Sequence, residues 1–337
     1  MNMPSVIRPN PGHILLPRRF VDVELHSPKA LVEGKYRIRK FYSAGLKKDG
    51  TVAEDAVTLD TGFFPNIILD SGLNQWGTSS IITGAAIGTG TSTPVASQVQ
   101  LDSLSHFTTT SSTGHFTLNI AGASPYNNIR NHVYRTAAGA LNGNYSEVGV
   151  GWASTNLFSR ALILNGGGAP TTISVASIEQ VDITYQLAIY PPLVDLSATT
   201  VTISGIDYTV TGRAAEVNDG AAWGVFTNAA VTHNAGSTSY AFVKAGTMGA
   251  ITTSPGGVAG SPQSSGNWTL ASYVPSSLQR TCSVFYGLDY GNPAGGIQSS
   301  QFKWTIGGFQ YQFSPVIPKN NTKTLLLNYS VNWARRP

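Results

Sequence analysis

Apolar and polar residues alternate with a period of two along much of this chain, the spacing of strands that bury one face. Phe20, Asp22, Glu24 and His26 alternate with Val21, Val23 and Leu25. From Lys35 to Tyr42 charged and apolar groups take turns, which predicts a strand with one wet face. Lys47-Lys48-Asp49-Gly50 reads as a turn. Phe116, Leu118 and Ile120 alternate, as do Val148 and Val150, and Phe158 to Leu164 forms a strand closed by Asn165-Gly166-Gly167-Gly168. The strongest strand runs from Val181 to Tyr190 and stops at Pro191-Pro192. Val181, Ile183, Tyr185, Leu187 and Ile189 share one face of it, which must be buried against another sheet or another subunit.

One segment departs from this period. Over residues 65–76, Ile68, Leu69, Leu73 and Trp76 fall close to one helical face, with Pro65 suited to a first turn and Gly77 to a stop. Little other helix is expected. Residues 1–20 carry Pro4, Pro9, Pro11 and Pro17, which predicts an extended arm ordered only by lying on a neighbour. The expected architecture is therefore mostly β. It has an arm (1–20), a first β-sandwich-like domain with the short helix (21–195), and a second (205–337).

The two β regions share weak similarities. Tyr185-Gln186-Leu187-Ala188-Ile189 resembles Tyr329-Ser330-Val331-Asn332-Trp333, and Phe158 and Phe302 each open a strand. Gly114-His115-Phe116-Thr117-Leu118 resembles Gly266-Asn267-Trp268-Thr269-Leu270, and the loop prolines Pro94 and Pro255 follow similar Thr/Ser runs. The matches are collinear. A diverged duplication and chance similarity in a Ser/Thr/Gly-rich chain both account for them.

Composition narrows the class. Charged residues make up 11% of the 337, while 41% are hydrophobic, with 36 Gly and 18 Pro. That hydrophobic content supports a core and argues against disorder. Cys282 is the only cysteine, so no disulfide or cysteine metal framework is available, and one thiol fits synthesis in a reducing cytoplasm. The N-terminal stretch does not read as a secretory signal, and no apolar run is long enough to span a membrane. Net charge is +6 over residues 1–50, −7 over 51–250 and +5 over 251–337. Acidic and basic regions could complement each other between subunits, with Arg8, Arg18 and Arg19 of the arm as candidate assembly contacts. The basic residues are scattered without an aromatic stripe, which argues against nucleic-acid binding.

Catalytic chemistry is sparse. The histidines (13, 26, 106, 115, 132 and 233) show no metal-site spacing, and no nucleophile elbow or phosphate loop occurs. Asp195, Asp207, Glu216 and Asp219 form the densest acidic stretch, the place for a carboxyl pair if the chain cut polysaccharide. They read as turn and loop residues, and no enzyme, metal or cofactor is expected. Aromatics crowd the second half. Trp223, Trp268, Tyr290 and Trp304 are the candidates to face a ligand or an interface, where rings stack on sugars or pack against protein.

The succession GLNQWG (72–77), IGTGTSTPVASQVQLDS (87–103), EVGVG (147–151), LFSRALIL (157–164) and VDITYQLAIYPP (181–192) is similar to structural proteins of tailed bacteriophages. The resemblance covers about residues 60–192, and FSPVIPKNNTKTLLLNYSVNWARR (313–336) resembles a virion module's closing strand. It carries no catalytic residue. It implies a virion protein, made in the host cytoplasm, of the tail, collar or baseplate region. Such a protein would form a homo-oligomer with other virion proteins as partners and anchor or present adhesion parts. A capsid decoration protein or head fibre, a carbohydrate-binding adhesin that meets a host-surface glycan, and a polysaccharide depolymerase are the alternatives.

Overall fold

The computed structural model describes residues 22–27, 29–203, 205–220, 223, 230–232, 240–259 and 268–337, without the side chains of 22 and 113–119. The arm, with Arg8, Arg18 and Arg19, lies outside the described residues. The protein is mostly β, with one α-helix among the described residues.

In the first half, β5 (Ile67–Ile68), β12 (Asn156–Leu162), β11 (Glu147–Ala153), β6 (Gly84–Gly88) and β7 (Leu104–Thr108) lie side by side in that order, all antiparallel. A second layer is built by β2 (Ala30–Tyr42), β14 (Glu179–Tyr190), β9 (Asn128–Arg135) and β8 (Ser111–Ile120), also antiparallel. The short β3 (Val57–Asp60) and β4 (Phe64–Pro65) pair with β2, and β10 (Gly143–Tyr145) with β13 (Ile173–Val175) forms a separate ribbon. In the second half, β15 (Thr199–Ile203), β16 (Ile206–Ala215), β21 (Gly307–Ile317), β20 (Ile297–Trp304) and β17 (Ala241–Lys244) form one sheet. Opposite them run β18 (Trp268–Leu270), β19 (Gln279–Tyr286) and β22 (Leu325–Arg335).

The halves repeat one topology. The order β5–β12–β11–β6 has its counterpart in β16–β21–β20–β17, and β8–β9–β14 in β18–β19–β22, with every pairing antiparallel in both. Tyr185 and Tyr329 sit on equivalent strands, as do the 114–118 and 266–270 stretches where described, and Pro94 and Pro255 follow equivalent strands. Phe158 and Phe302 do not: β12 corresponds to β21, whereas Phe302 lies on β20. An order of strands shared this far favours duplication over chance.

The expected boundary between 195 and 205 is crossed by the largest sheet. One edge of β22 pairs with β19, and the other pairs in parallel first with β1 (Asp22–His26) and then with the start of β2, Ala30 opposite Trp333. The start and the end of the described chain thus pair directly within one ten-stranded sheet. A single apolar cluster runs through both halves.

The alternation of β14 does what it predicts. Val181, Ile183, Tyr185, Leu187 and Ile189 are all fully buried, within this chain rather than against a partner. Tyr185 meets Phe158 of the facing sheet edge-on at 6.2 Å, and at the equivalent place Tyr329 stacks on Phe302 at 4.6 Å.

The helix is shorter than its periodicity suggests. It spans Asp70–Trp76, because Phe64–Pro65 pairs with β2 and Ile67–Ile68 with β12. Backbone hydrogen bonds to neighbouring strands claim these residues before a helical turn forms. Leu73 and Trp76 are buried as the pattern requires. Gly72, a poor helix residue, is demanded by packing: a Cβ there would lie 2.6 Å from the backbone of Phe158.

Candidate functional site

Three of the segments that carry the phage resemblance converge on one buried ion pair. Glu147 opens β11, and Arg160 lies in β12 beside it, in strands whose other inward residues are mostly apolar. Both side chains are fully buried. A carboxylate and a guanidinium are stable there only with each other and with further hydrogen bonds. Arg160 Nε donates to Glu147 Oε2 at 3.0 Å, and Nη2 approaches the same oxygen and Asp102 Oδ2 at 2.8 Å each. Glu147 also accepts the backbone N–H groups of Gly90 (2.8 Å), Asp102 (3.1 Å) and Ser103 (2.8 Å). The Ser92 hydroxyl and amide both donate to Asp102. That hydroxyl, helped by Arg160, holds the Asp102 carboxyl below its ordinary range against the opposing effect of burial.

The consequence is a loop, residues 89–103, held at both ends by one carboxylate. Its glycines are part of the design. A Cβ at Gly90 would stand 2.3 Å from Glu147 Oε1, and one at Gly88 would stand 2.3 Å from the Ser103 carbonyl. The IGTG spelling therefore records the close approach of backbone to a buried acid.

The second half pins its equivalent loop, 245–259, with glutamines as well as charged side chains. Gln310 of β21 is fully buried. Its Oε1 accepts the Gly249 N–H at 2.8 Å, and its Nε2 donates to the carbonyls of Ala250 at 3.0 Å and Gly249 at 3.1 Å. Gln312 Oε1 accepts the Met248 N–H at 3.0 Å. Glu216, whose φ of 52° is left-handed, takes Ser254 Oγ at 2.7 Å, Gln301 Nε2 at 2.6 Å and Lys303 Nζ at 2.7 Å. Burial pushes the Glu216 carboxyl up, but its Lys303, Ser254 and Gln301 contacts outweigh this and hold it below the usual range.

The GLNQWG segment is the joint between halves. Asn74 Oδ1 accepts Tyr273 Oη at 3.0 Å and the Ser276 N–H at 2.6 Å. Trp333 Nε1 donates to the Leu73 carbonyl at 2.9 Å, and Arg335 binds the Ile68 carbonyl at 2.5 Å. Ser276 and Leu278, both at positive φ, flank this contact, so the loop is held in a conformation its residues resist.

The aromatics nominated from sequence separate. Trp223 and Trp304 are core residues, fully buried within the chain rather than presented at its surface. Trp223 satisfies its indole N–H on the Ala215 carbonyl at 2.7 Å and packs on Phe309, and Trp304 lies against Phe302 at 4.7 Å. An indole whose polar tip finds a backbone partner has no need of the surface. Trp268 is half-buried, edge-on to Tyr240. Tyr290 is 36% exposed. Two residues further on begins the lining of an open concavity of about 570 Å³, residues 292–296 and 318–321, including Asn292, Asn320 and Asn321.

The acidic stretch is not brought together as a facing pair. Asp195 binds Arg213, Asp207 accepts Thr202 Oγ1 at 2.6 Å, and Glu216 is engaged as above. Among the described residues no group of three or more His, Cys, Asp or Glu is placed to hold a metal ion, and no helix is long and apolar enough to cross a membrane. Burial pushes the Cys282 thiol up to about 12, which makes it a weak nucleophile. The Glu147–Arg160 pair was not singled out from sequence, although an acid and an arginine inside apolar strands is a legible sign of a buried pair. No protein family, curated protein sequence or solved structure matches this chain.

Proposed function

We propose that this chain is a structural component of a tailed-phage virion, in the tail, collar or baseplate region. There it anchors or presents adhesion parts as a homo-oligomer with other virion proteins. The observation that carries the reading is the use to which the resembling segments are put. Their polar residues are spent on one another, Glu147 and Arg160 on loop 89–103 and Asn74 on the 273–276 turn, so that they build a rigid scaffold. A particle exposed outside the cell needs this kind of kinetic stability. Antibodies raised against the chain should decorate one end or the neck of intact purified particles. Decoration of the capsid surface would favour a decoration protein or head fibre instead, and no decoration of disrupted particles would sink both.

A second reading, a carbohydrate-binding adhesin, is favoured by one feature. Tyr290 is an exposed ring two residues before a concavity whose lining includes Asn320 and Asn321, amides that suit sugar hydroxyls. Binding of host-surface glycan by the purified chain, lost in Tyr290→Ala, would support it.

A further inference from the structure

Lys319 is an anomaly. It is 4% exposed, yet no carboxylate lies within ion-pair distance of its ammonium among the described residues. The unplaced segments contain no Asp or Glu, and Asp22 is the one acidic residue whose side chain is not described. Its Nζ donates instead to the Gly287 carbonyl at 2.8 Å, to Asn292 Oδ1 at 2.7 Å and to the Asn320 carbonyl at 3.3 Å. A buried charge with only neutral partners is costly.

The carboxamide it touches is held from both ends. Asn292 Nδ2 donates to the Leu288 carbonyl at 2.5 Å while Oδ1 faces Lys319. The carbon between them, Cγ, lies one C=O bond (about 1.23 Å) beyond that oxygen. The next residue is Pro293, which has no backbone N–H to attack the same carbon, so the usual intrachain competitor is missing.

We propose that Lys319 and Asn292 form an intramolecular isopeptide bond. The neutral amine of Lys319 attacks Asn292 Cγ, a C–N bond forms, and the bond from Cγ to Nδ2 breaks. The one proton shed by Nζ passes to the leaving nitrogen, which departs as ammonia. No oxidant, reductant or other reactant is consumed, and the buried charge disappears with the reaction. Burial pushes Lys319 down to about 8 against the opposing pull of Asp289. The neutral amine, the reactive form, is thereby more accessible near neutral pH. The open concavity that Lys319 and Asn292 both line gives ammonia a way out. The bond would staple the loop between β19 and β20 to the segment between β21 and β22. It does not depend on the virion reading.

Intact mass spectrometry of the full chain tests this. The wild type should fall short of its sequence mass by about 17 Da, one ammonia. Trypsin should then yield one branched peptide joining residues 281–303 to 304–323, uncut after Lys319. Lys319→Arg and Asn292→Ala should both lose the branched peptide and show their full sequence masses. A wild-type chain at full mass overturns the proposal, and so does the mass deficit without the branched peptide. Because the primary readout is the wild-type mass, a variant that folds poorly leaves the result intact.

Discussion

Replacing Glu147 by Ala should cost about 3–5 kcal/mol of stability, the range for breaking a buried ion pair by deleting one partner. The magnitude follows from what is left behind. Arg160, fully buried, loses the acceptor of its Nε and keeps only Asp102 and Ser92 through Nη2. The amides of Gly90, Asp102 and Ser103 lose their common acceptor, and each orphaned donor costs about 1–3 kcal/mol where water cannot replace it. These terms do not add in full, because a released loop admits water to some of the donors. Equilibrium unfolding in urea gives the total, and amide hydrogen exchange gives its location. Protection should fall across residues 89–103 while strands β14 and β22 keep theirs. The double variant Glu147→Ala with Arg160→Met should be less damaging than the sum of the singles, since it removes the stranded charge. Stability within about 0.5 kcal/mol of wild type, the range of an ordinary surface substitution, together with unchanged exchange in the loop, would refute the reasoning.

Three further outcomes are expected. Gly72→Ala should destabilise by about 1–3 kcal/mol in thermal or urea unfolding although alanine is the better helix former, because its Cβ meets the Phe158 backbone at 2.6 Å; a stabilised variant contradicts this. Arg280, nine-tenths buried with no partner for Nε among the described residues and no ion pair, should be replaced by Met with unchanged or higher stability, by about 1 kcal/mol, and a marked loss would mean the guanidinium has a partner. The Asp102 carboxyl titrates below its ordinary value of 3.8, so its contribution is complete above that pH and is lost as pH falls through the lowered folded value. Stability curves from pH 5 downward should therefore fall less steeply for Asp102→Asn than for wild type, and parallel curves would count against it.

Period-two alternation located most of the strands, since a one-residue slip would expose every inward side chain of β14. The extent of the helix was not legible, because the pairing of Phe64–Pro65 and Ile67–Ile68 is a long-range event that local periodicity does not encode. Aromatic residues misled for a related reason. Trp223 and Trp304 look like surface binders by residue type alone, and their burial depends on Ala215 and Phe302, partners that only the fold supplies. The resembling segments were visible as spellings. What they do, a carboxylate gathering three amides from a loop 44 to 57 residues away in sequence, required the register of β11 against β6 and β12. The division into halves was readable as similarity, but the parallel pairing of β1 and β2 with β22 that joins them was not.

The central claim is that this chain builds part of a tailed particle, and a cryo-electron microscopy reconstruction of that particle, purified intact, tests it most directly. The account predicts density for these paired sheets in several symmetry-related copies at the tail, collar or baseplate. It also predicts peptides of the chain in the same preparation at matching abundance. Purified particles that contain neither the density nor the peptides would contradict it.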